Sequence, residues 1–463
     1  MNAKNAKLYG KRALSLFLFA AGIIVISRLL QYPLVDDTAS QSRVTFHDYY
    51  ETNPIDILFV GPSHSVHIID AVQMTDQSGE AVFNLSTKGQ LIEETYSLIK
   101  DAVENRGIRR ICCELSITRL KKVETEQTAV YIVTDYYKNA LERAKLIFKL
   151  MPTGAYLNTL SLRRGMDPLS FSISKPFRIL KKKQDPAYTG YQGTDLYKGR
   201  GEWAKYDSPF DAKGFAYNVK TSAINHFTTK NIDQERLNHI RKIIRVCREN
   251  NTQLVFYIPP YSEVYMQEFE EYWEITDLVK KLVLEEGAVL IDLNLVKDEY
   301  LSLNASDFYE LDHANSYAGE RISAFLMQYL REPEGDYFQD TIEEKYPDQD
   351  AVTAVAYLAE FQTDRGIFYK AGDIKGTLQE VKLTVRPQGY HPIKAQAGMW
   401  AVTYDPESDS YTEGEEVTGT VINDQITEFT IPGEDFGNDY LIRLYDPDTK
   451  EQIYRAYTRF DKD

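Results

Sequence analysis

The sequence predicts an α/β fold, with a doubly wound parallel five-stranded sheet, an N-terminal transmembrane helix and a C-terminal all-β, sandwich-like domain. Three observations carry this prediction. An apolar stretch fills positions 13–35, short apolar runs then alternate with helical patterns, and short Tyr-, Val- and Ile-rich segments end the chain. A chain of 463 residues exceeds one typical domain. We therefore predict a cytoplasmic N-terminus and anchor at 1–37, an α/β domain at 38–332 and a β-rich domain at 333–463.

The N-terminal apolar stretch is long enough to cross a bilayer, which takes about 20 residues. Four basic residues precede it without any acid, and Asp36 and Asp37 close it. This distribution predicts a cytoplasmic N-terminus and an exported remainder, because basic flanks stay on the cytoplasmic side. The expected localisation is the cell membrane, with a single pass and the bulk of the protein outside the cell. A cleaved signal peptide is the alternative, although we find no clear small-x-small cleavage site.

Five apolar runs predict the strands of the sheet. They alternate with helical patterns, which favours a mostly parallel sheet covered on both faces by right-handed crossovers. Functional residues then gather at the carboxyl ends of the strands. The predicted strands are 55–61, 81–85, 108–115, 252–260 and 288–294.

Two further regions have a distinct character. An insert at about 120–230 is basic and helical at first and then rich in Gly and Tyr, which is typical of a lid or a wall of a substrate site. The segments beyond 333 alternate in polarity and are divided by Gly, Pro and Asp turns, as in a small β-sandwich. Carbohydrate binding, docking and a passive folding role remain open for that domain.

Composition excludes several functions. The net charge of −16 repels phosphodiester backbones, so no nucleic-acid partner is expected. Three cysteines cannot build a disulfide framework, and we read them as structural. The histidines outside the loops discussed below lack metal-ligand spacing, so no metal site and no cofactor are predicted.

The stretch "GPSHS" follows the first predicted strand and places Ser63 where a parallel sheet exposes its side chains. If a helix begins near 63–65, its free N–H groups surround the serine oxygen and suit a developing oxyanion. The alternative is that Ser63 or Ser65 only caps this helix. His64 and His67 are too close in sequence to act as its base, and we read them as packing residues at the start of the helix.

A second polar loop follows the last predicted strand of the sheet. His313 lies there after the acids Asp307, Glu310 and Asp312, and "ANSYAG" leads into a helix. A serine nucleophile needs a base within hydrogen-bond reach, and that base needs a carboxylate to fix its tautomer. The loops after the first and last strands of a doubly wound sheet can face one crevice. The sequence therefore predicts a Ser63–His313 pair.

Three blocks, "GPSHS", "NLSTKGQ" and "ELDHANSYAG", resemble the signature blocks of the SGNH/GDSL hydrolase family, whose fold is flavodoxin-like. The resemblance covers about 50–330. With the N-terminal anchor, the pattern more specifically resembles membrane-tethered members of the family, such as the teichoic-acid D-alanylation and alginate O-acetylation proteins. It implies that Ser63 is the nucleophile and an oxyanion donor, that Gly89 is a second donor and that His313 is the base. Asn84, at the end of the second strand, is expected to hold the oxyanion loop by hydrogen bonds.

Two departures from the family pattern leave questions open. The family's acid precedes the histidine by three residues, which selects Glu310, but Asp312 is adjacent to His313 and can substitute if the loop bends. The family's third block is missing, and the third strand ends instead in "CELSITR". One oxyanion donor is therefore unidentified. After the fourth strand, Tyr261 and Ser262 are predicted to contact substrate, with plain turn chemistry as the alternative.

These residues predict a serine enzyme that forms an acyl-Ser63 intermediate. The resemblance, together with the anchor and the insert, implies acyl esters of a cell-surface polysaccharide or teichoic-acid-like polymer as its substrates. Release to a sugar hydroxyl would make it an O-acyltransferase, and release to water an esterase. The resemblance also implies a partner, a membrane-bound acyltransferase that delivers acyl groups. The competing hypothesis is a non-catalytic envelope scaffold or glycan-binding protein that retains the SGNH fold.

Overall fold

The structure is a computed structural model of the full chain. The residues it describes are 3–37, 40–121, 127–152, 154–156, 174–184, 195–206, 228–262, 265, 271–304, 307–310, 312–340, 342–345, 354–368, 374–388, 394–405, 410–423 and 425–459.

Helices and strands alternate through the first three quarters of the chain, and the described residues after them form strands. The helices are α1 (Ala3–Leu34), α2 (Gln41–Glu51), α3 (Ser63–Ile68), α4 (Ala71–Ser78), α5 (Ile92–Arg106), α6 (Gln127–Thr134), α7 (Ala140–Leu150), α8 (Ser174–Gln184), α9 (Gln234–Glu249), α10 (Tyr272–Glu285), α11 (Ser316–Arg331) and α12 (Ile342–Lys345). The strands are β1 (Ile57–Val60), β2 (Val82–Asn84), β3 (Arg110–Glu114), β4 (Leu196–Gly199), β5 (Glu202–Ala204), β6 (Gln253–Ile258), β7 (Val289–Asp292), β8 (Ala354–Thr363), β9 (Gly366–Phe368), β10 (Leu378–Gln388), β11 (Gln396–Asp405), β12 (Ser410–Val417), β13 (Gly419–Val421), β14 (Thr427–Pro432), β15 (Asp439–Tyr445) and β16 (Gln452–Arg459).

The predicted five-stranded parallel sheet is confirmed. Its strand order is β2-β1-β3-β6-β7, with β1 parallel to β2 and β3, and β6 parallel to β7. All four side chains of β1 are buried, as expected for a strand covered on both faces. The order reverses direction after β1, and in such sheets ligands bind outside the carboxyl ends of the strands beside the reversal.

The chain forms two compact units, and the first comprises 1–114, 123–205 and 238–254. The predicted N-terminal helix is present as α1, and it exposes ten large apolar side chains between Leu14 and Leu30. Among the residues that the structure describes, however, no helix combines the length and apolarity needed to cross a bilayer. The predicted transmembrane span at 13–35 therefore has no support from the structure.

Part of the predicted insert covers the free edge of β2. The β4–β5 hairpin approaches this edge, where the Asn84 N–H donates to Arg200 O at 2.9 Å and Arg200 Nη1 donates to Val82 O at 3.2 Å. Gly201 has a φ of +79°, and a Cβ there would lie 1.8 Å from Asn84 O. The hairpin thus needs glycine to protect an otherwise open edge strand. The stretches 157–173, 185–194 and 207–227 of the predicted lid lie outside the described residues.

The second unit comprises 115–122, 206–237 and 255–463. Its C-terminal part contains two antiparallel sheets, β13-β14-β10-β8-β9 and β12-β11-β15-β16. Side chains from both sheets, among them Val381, Met399 and Ile442, share one apolar core. The β-rich nature of this region is confirmed, whereas the domain boundary at 332/333 stays a prediction.

Candidate active site

The nucleophile candidate Ser63 is the first residue of α3, directly after β1. The N-cap is Pro62, with φ −75° and ψ −157°, and neither Ser63 nor Ser65 occupies that position. Proline suits the start of a helix because its missing N–H is not needed there, but its ring supplies no acceptor for the N–H groups of the first turn. The helix-cap alternative for the two serines is therefore wrong, and the cap has to come from another element.

Glu114, the last residue of β3, supplies that cap. Its Oε2 accepts a hydrogen bond from the Ser65 N–H at 3.0 Å and a second one from the Ser65 hydroxyl, and its Oε1 lies 2.6 Å from His64 Nδ1. A carboxylate beside the first turn also suits the positive end of the peptide dipoles. Three donors from α3 thus satisfy a carboxylate that is fully removed from solvent.

Gly61 makes this contact possible. A Cβ at position 61 would lie 2.4 Å from Glu114 Cβ and 3.1 Å from Glu114 Oε2. In the sheet register Val60 pairs with Cys113, so Gly61 and Glu114 continue the two strands side by side. The Glu114 side chain thus passes over position 61, which explains why "GPSHS" has a glycine there.

The loop after β2 is bonded to α3. Asn84 Nδ2 donates to Ser65 O at 2.8 Å, and Asn84 Oδ1 accepts the Ser86 N–H at 3.2 Å. The side chain therefore connects the first helical turn to the loop, as its predicted holding role requires. Gly89 lies in this loop with a φ of +70°, a conformation that glycine adopts without cost. Oxyanion binding by Ser63 and Gly89 stays a prediction.

His67 packs against the β4–β5 hairpin. Its Nδ1 lies 2.8 Å from Trp203 O, and because a carbonyl only accepts, Nδ1 carries the proton. The Trp203 indole N–H donates in turn to the Thr45 hydroxyl at 2.8 Å. This buried chain of contacts agrees with the structural role expected of His67.

In the second unit, both candidate acids reach the same nitrogen of His313. Asp312 Oδ1 lies 2.7 Å from His313 Nδ1, and Glu310 Oε2 lies 3.3 Å from it. The loop bends back on itself, with the Tyr309 N–H donating to His313 O at 3.0 Å. Asp312 is therefore the closer acid, although Glu310 has the family spacing. With the Nδ1 proton held by carboxylates, His313 Nε2 is left as the basic atom.

The helix after His313 is held by its own polar contacts. Asn315 caps α11, because its Oδ1 accepts the Ala318 N–H at 3.1 Å. Its backbone N–H donates to Asp307 O at 2.7 Å, and the Asp307 carboxylate pairs with Arg321. Asp307 thus stabilises the loop where it enters α11, whereas Asp312 and Glu310 contact the histidine.

Tyr261 and Ser262 make the contacts of a turn. The Tyr261 N–H donates to Asn294 Oδ1 at 2.9 Å, and the Ser262 hydroxyl accepts the Tyr265 N–H at 3.3 Å. Both residues are buried, and the Tyr261 and Tyr265 rings lie 5.0 Å apart. These observations favour the turn alternative, and substrate contact by either residue stays a prediction.

The three cysteines are free and buried. Burial raises the pKa of Cys112 and of Cys247 to about 12 and places that of Cys113 well above its ordinary value. A thiol that stays protonated is a poor nucleophile. The structural reading of the cysteines therefore agrees with their environment.

Comparisons with known proteins find similarity in structures alone. No protein-family profile matches the sequence, and no curated protein matches it. Similar solved structures include "a putative platelet activating factor" from Streptococcus pneumonia, at 12% identity over 69% of this chain and 99% of that chain, with a TM-score of 0.30. A putative acylhydrolase from Bacteroides fragilis is 8% identical over 64% of this chain and 97% of that chain, with a TM-score of 0.32. A GDSL-like lipase from Bacteroides thetaiotaomicron is 6% identical over 64% and 99%, with a TM-score of 0.30. At these values the similarity carries no conclusion about activity.

Proposed function

We propose that the protein is an SGNH-like serine enzyme, in which Ser63 is the nucleophile and His313 the general base and then the general acid. The observation that carries the proposal is the state of His313, whose Nδ1 is held by Asp312 and Glu310. A carboxylate on Nδ1 fixes the tautomer in which Nε2 accepts a proton, and it stabilises the imidazolium that forms. The position of Ser63 at the carboxyl end of β1 and the start of α3 supports its role as nucleophile.

The chemistry follows from these roles. His313 Nε2 takes the proton of Ser63 Oγ while the oxygen attacks the acyl carbonyl carbon and its C=O electron pair moves onto oxygen. Backbone N–H groups of Ser63 and Gly89 would donate to that oxyanion. The imidazolium then protonates the departing alcohol, which leaves acyl-Ser63. Water or a sugar hydroxyl then gives its proton to His313 and attacks the acyl carbon. The bond from that carbon to Ser63 Oγ breaks, the imidazolium protonates Oγ, and the carboxylic acid or the new ester leaves.

Ester hydrolysis and O-acyl transfer share every step up to acyl-Ser63. We propose as acyl donor or acceptor a cell-surface polysaccharide or a teichoic-acid-like polymer, with a membrane-bound acyltransferase as the partner that delivers acyl groups. The abundance of tyrosine, 33 residues, suits a protein that handles sugars. The acceptor would then be decided by how well the site excludes water.

We also propose that α1 attaches the protein to the cell membrane, with the bulk of the chain outside the cell. The support is the surface of α1, on which Leu16, Phe17, Phe19 and Leu29 are each about 70% exposed. Apolar side chains exposed along one helix are costly in water and mark a surface that another apolar phase covers. Basic residues before them and acids after them support the proposed orientation.

One observation favours the non-catalytic alternative. The Glu114 carboxylate occupies the Ser65 N–H, one of the first-turn donors that an anion could otherwise use. In that alternative the protein retains the fold, binds glycans and performs no acyl transfer.

Reaction with a fluorophosphonate probe separates these functions, because the probe phosphorylates an activated serine irreversibly. We expect labelling of the wild type, none of Ser63→Ala, and labelling of Ser65→Ala. The last variant is the matched control, since the Ser65 hydroxyl is bonded to Glu114. A folded wild type that resists the probe, or a Ser63→Ala variant that still reacts, would contradict the enzyme assignment.

A further inference from the structure

The helix α8 differs from the rest of the chain in charge. Its sequence SKPFRILKKKQ contains five basic residues and no acid, whereas the whole chain carries a net charge of −16. Like charges spaced so closely repel one another, and an anionic partner relieves this repulsion. The basic helix therefore indicates a contact with an anionic partner, which the acidic remainder of the surface would repel.

Contacts with the end of α1 fix where α8 lies. Lys182 Nζ pairs with Asp36 Oδ2 at 2.8 Å, and Lys183 Nζ donates to Val35 O at 2.8 Å and pairs with Asp37 at 3.2 Å. Lys183 Nζ also lies 4.9 Å from the centre of the Tyr32 ring. These contacts hold α8 beside the residues where the apolar surface of α1 ends.

The two sides of α8 have different environments. Ile179 and Lys183, one helical turn apart, are buried, and the helix packs on α1. On the opposite side Phe177 is 69% exposed, with the exposed Arg178 and Lys181 beside it. A large apolar side chain surrounded by basic residues is the composition of helices that lie in a membrane interface.

We propose that α8 lies on the membrane surface beside the end of α1, with its basic side chains on anionic lipid headgroups and Phe177 inserted among the acyl chains. The proposal rests on the membrane attachment of α1 and is independent of the catalytic assignment. The charge of α8 favours anionic lipids as its partner, because anionic headgroups attract lysine and arginine near a membrane. The position of α8 supports the same choice, because Lys182 and Lys183 pair with Asp36 and Asp37, directly after the helix that carries the exposed apolar side chains.

A fluorescent label at position 177 tests this contact. The three native cysteines are buried, so Phe177→Cys gives one accessible thiol for an environment-sensitive dye. The labelled full chain is reconstituted into vesicles of phosphatidylcholine that contain a nitroxide-labelled lipid, with or without phosphatidylglycerol. Val421→Cys, 49% exposed in the second unit, is the matched control. We expect the nitroxide to quench the fluorescence of the dye at 177, more strongly when phosphatidylglycerol is present, and to leave the dye at 421 unquenched.

Charge reversal tests the role of the basic side chains. Arg178→Glu with Lys181→Glu should reduce quenching at 177 to the level at 421, and high salt should act in the same direction. Arg245→Glu with Arg248→Glu reverses two exposed charges on α9 and should leave the quenching unchanged. Unquenched label at 177 in a reconstituted chain, or equal quenching without phosphatidylglycerol, contradicts the proposal alone. A chain that does not associate with either vesicle contradicts the attachment of α1 as well. Neither outcome bears on the catalytic assignment, which fluorophosphonate labelling tests separately.

Discussion

Among the residues that the structure describes, the His64–Glu114 and His313–Asp312 pairs have nearly equal N–O distances and differ in their exposure to solvent. His64 Nδ1 lies 2.6 Å from Glu114, with side chains that are 5% and 0% exposed. His313 Nδ1 lies 2.7 Å from Asp312, with side chains that are 14% and 28% exposed. The first pair is removed from water and caps the helix of the candidate nucleophile. The second is partly exposed to solvent, as its proposed role in proton transfer requires, so an equal distance does not by itself distinguish a structural pair from a catalytic one.

The largest effect should come from the exposed pair. His313→Ala removes the proposed base, and hydrolysis of an activated aryl ester should fall about 10³- to 10⁴-fold without loss of structure. Steady-state rates and circular dichroism would measure both properties. The control is His47→Ala, an exposed histidine on α2 that should leave the rate unchanged. A fully active His313→Ala variant would assign the base elsewhere.

The buried pair should be more important for stability. Glu114→Ala leaves His64 and two Ser65 donors buried without their acceptor, and we expect a loss of roughly 3–5 kcal/mol in the free energy of unfolding. Chemical denaturation measures this loss. The matched substitution Glu310→Ala removes an acid that is 59% exposed and should cost at most about 1 kcal/mol. Equal losses in the two variants would remove the distinction between the pairs.

Within the exposed pair, Asp312 and Glu310 can be separated. Asp312→Asn should lower the rate roughly a hundredfold, the low end of general acid–base effects, because Glu310 remains within 3.3 Å of the same nitrogen. Glu310→Gln should have the smaller effect, since Glu310 is farther away and more exposed. The opposite order would restore the acid selected by family spacing.

The smallest effect concerns the pH dependence of stability. Burial and a hydrogen bond to Asp70 together raise the pKa of Glu202 to about 8, against the opposing effect of Lys198. An acid whose folded pKa lies above its ordinary value stabilises the fold at low pH, and this contribution is lost as the pH rises from about 4.5 to about 8. Glu202→Gln should flatten that slope in denaturation curves, and Glu334→Gln, an exposed acid, should not. An unchanged dependence of stability on pH in Glu202→Gln would contradict the assignment of Glu202 as a buried, protonated acid.

The sequence was informative where periodicity and caps decide the structure. Five apolar runs predicted the five strands, a strand end predicted the position of Ser63, and "ANSYAG" predicted the helix that Asn315 caps. These features are local, since alternation, burial and capping are written within about ten consecutive residues.

Tertiary contacts explain what the sequence did not reveal. Glu114 ends an apolar strand, and only the register of β1 with β3 brings it to Gly61 and to α3, about 50 residues earlier. An acid at the end of an otherwise buried strand was the available signal, but its partners could not be deduced from spacing. The bonding of Asn84 and His67 to their neighbours likewise depends on where the loop and the hairpin pack.

The central claim is that Ser63 forms a covalent acyl ester with the help of His313. Acid-quenched mass spectrometry of the protein after brief exposure to an activated acetate ester tests it most directly. We predict an added acetyl group on the peptide that contains Ser63, none in Ser63→Ala, and accumulation that is strongly slowed in His313→Ala. Acetylation that persists in Ser63→Ala, or forms at the wild-type rate in His313→Ala, would contradict the account.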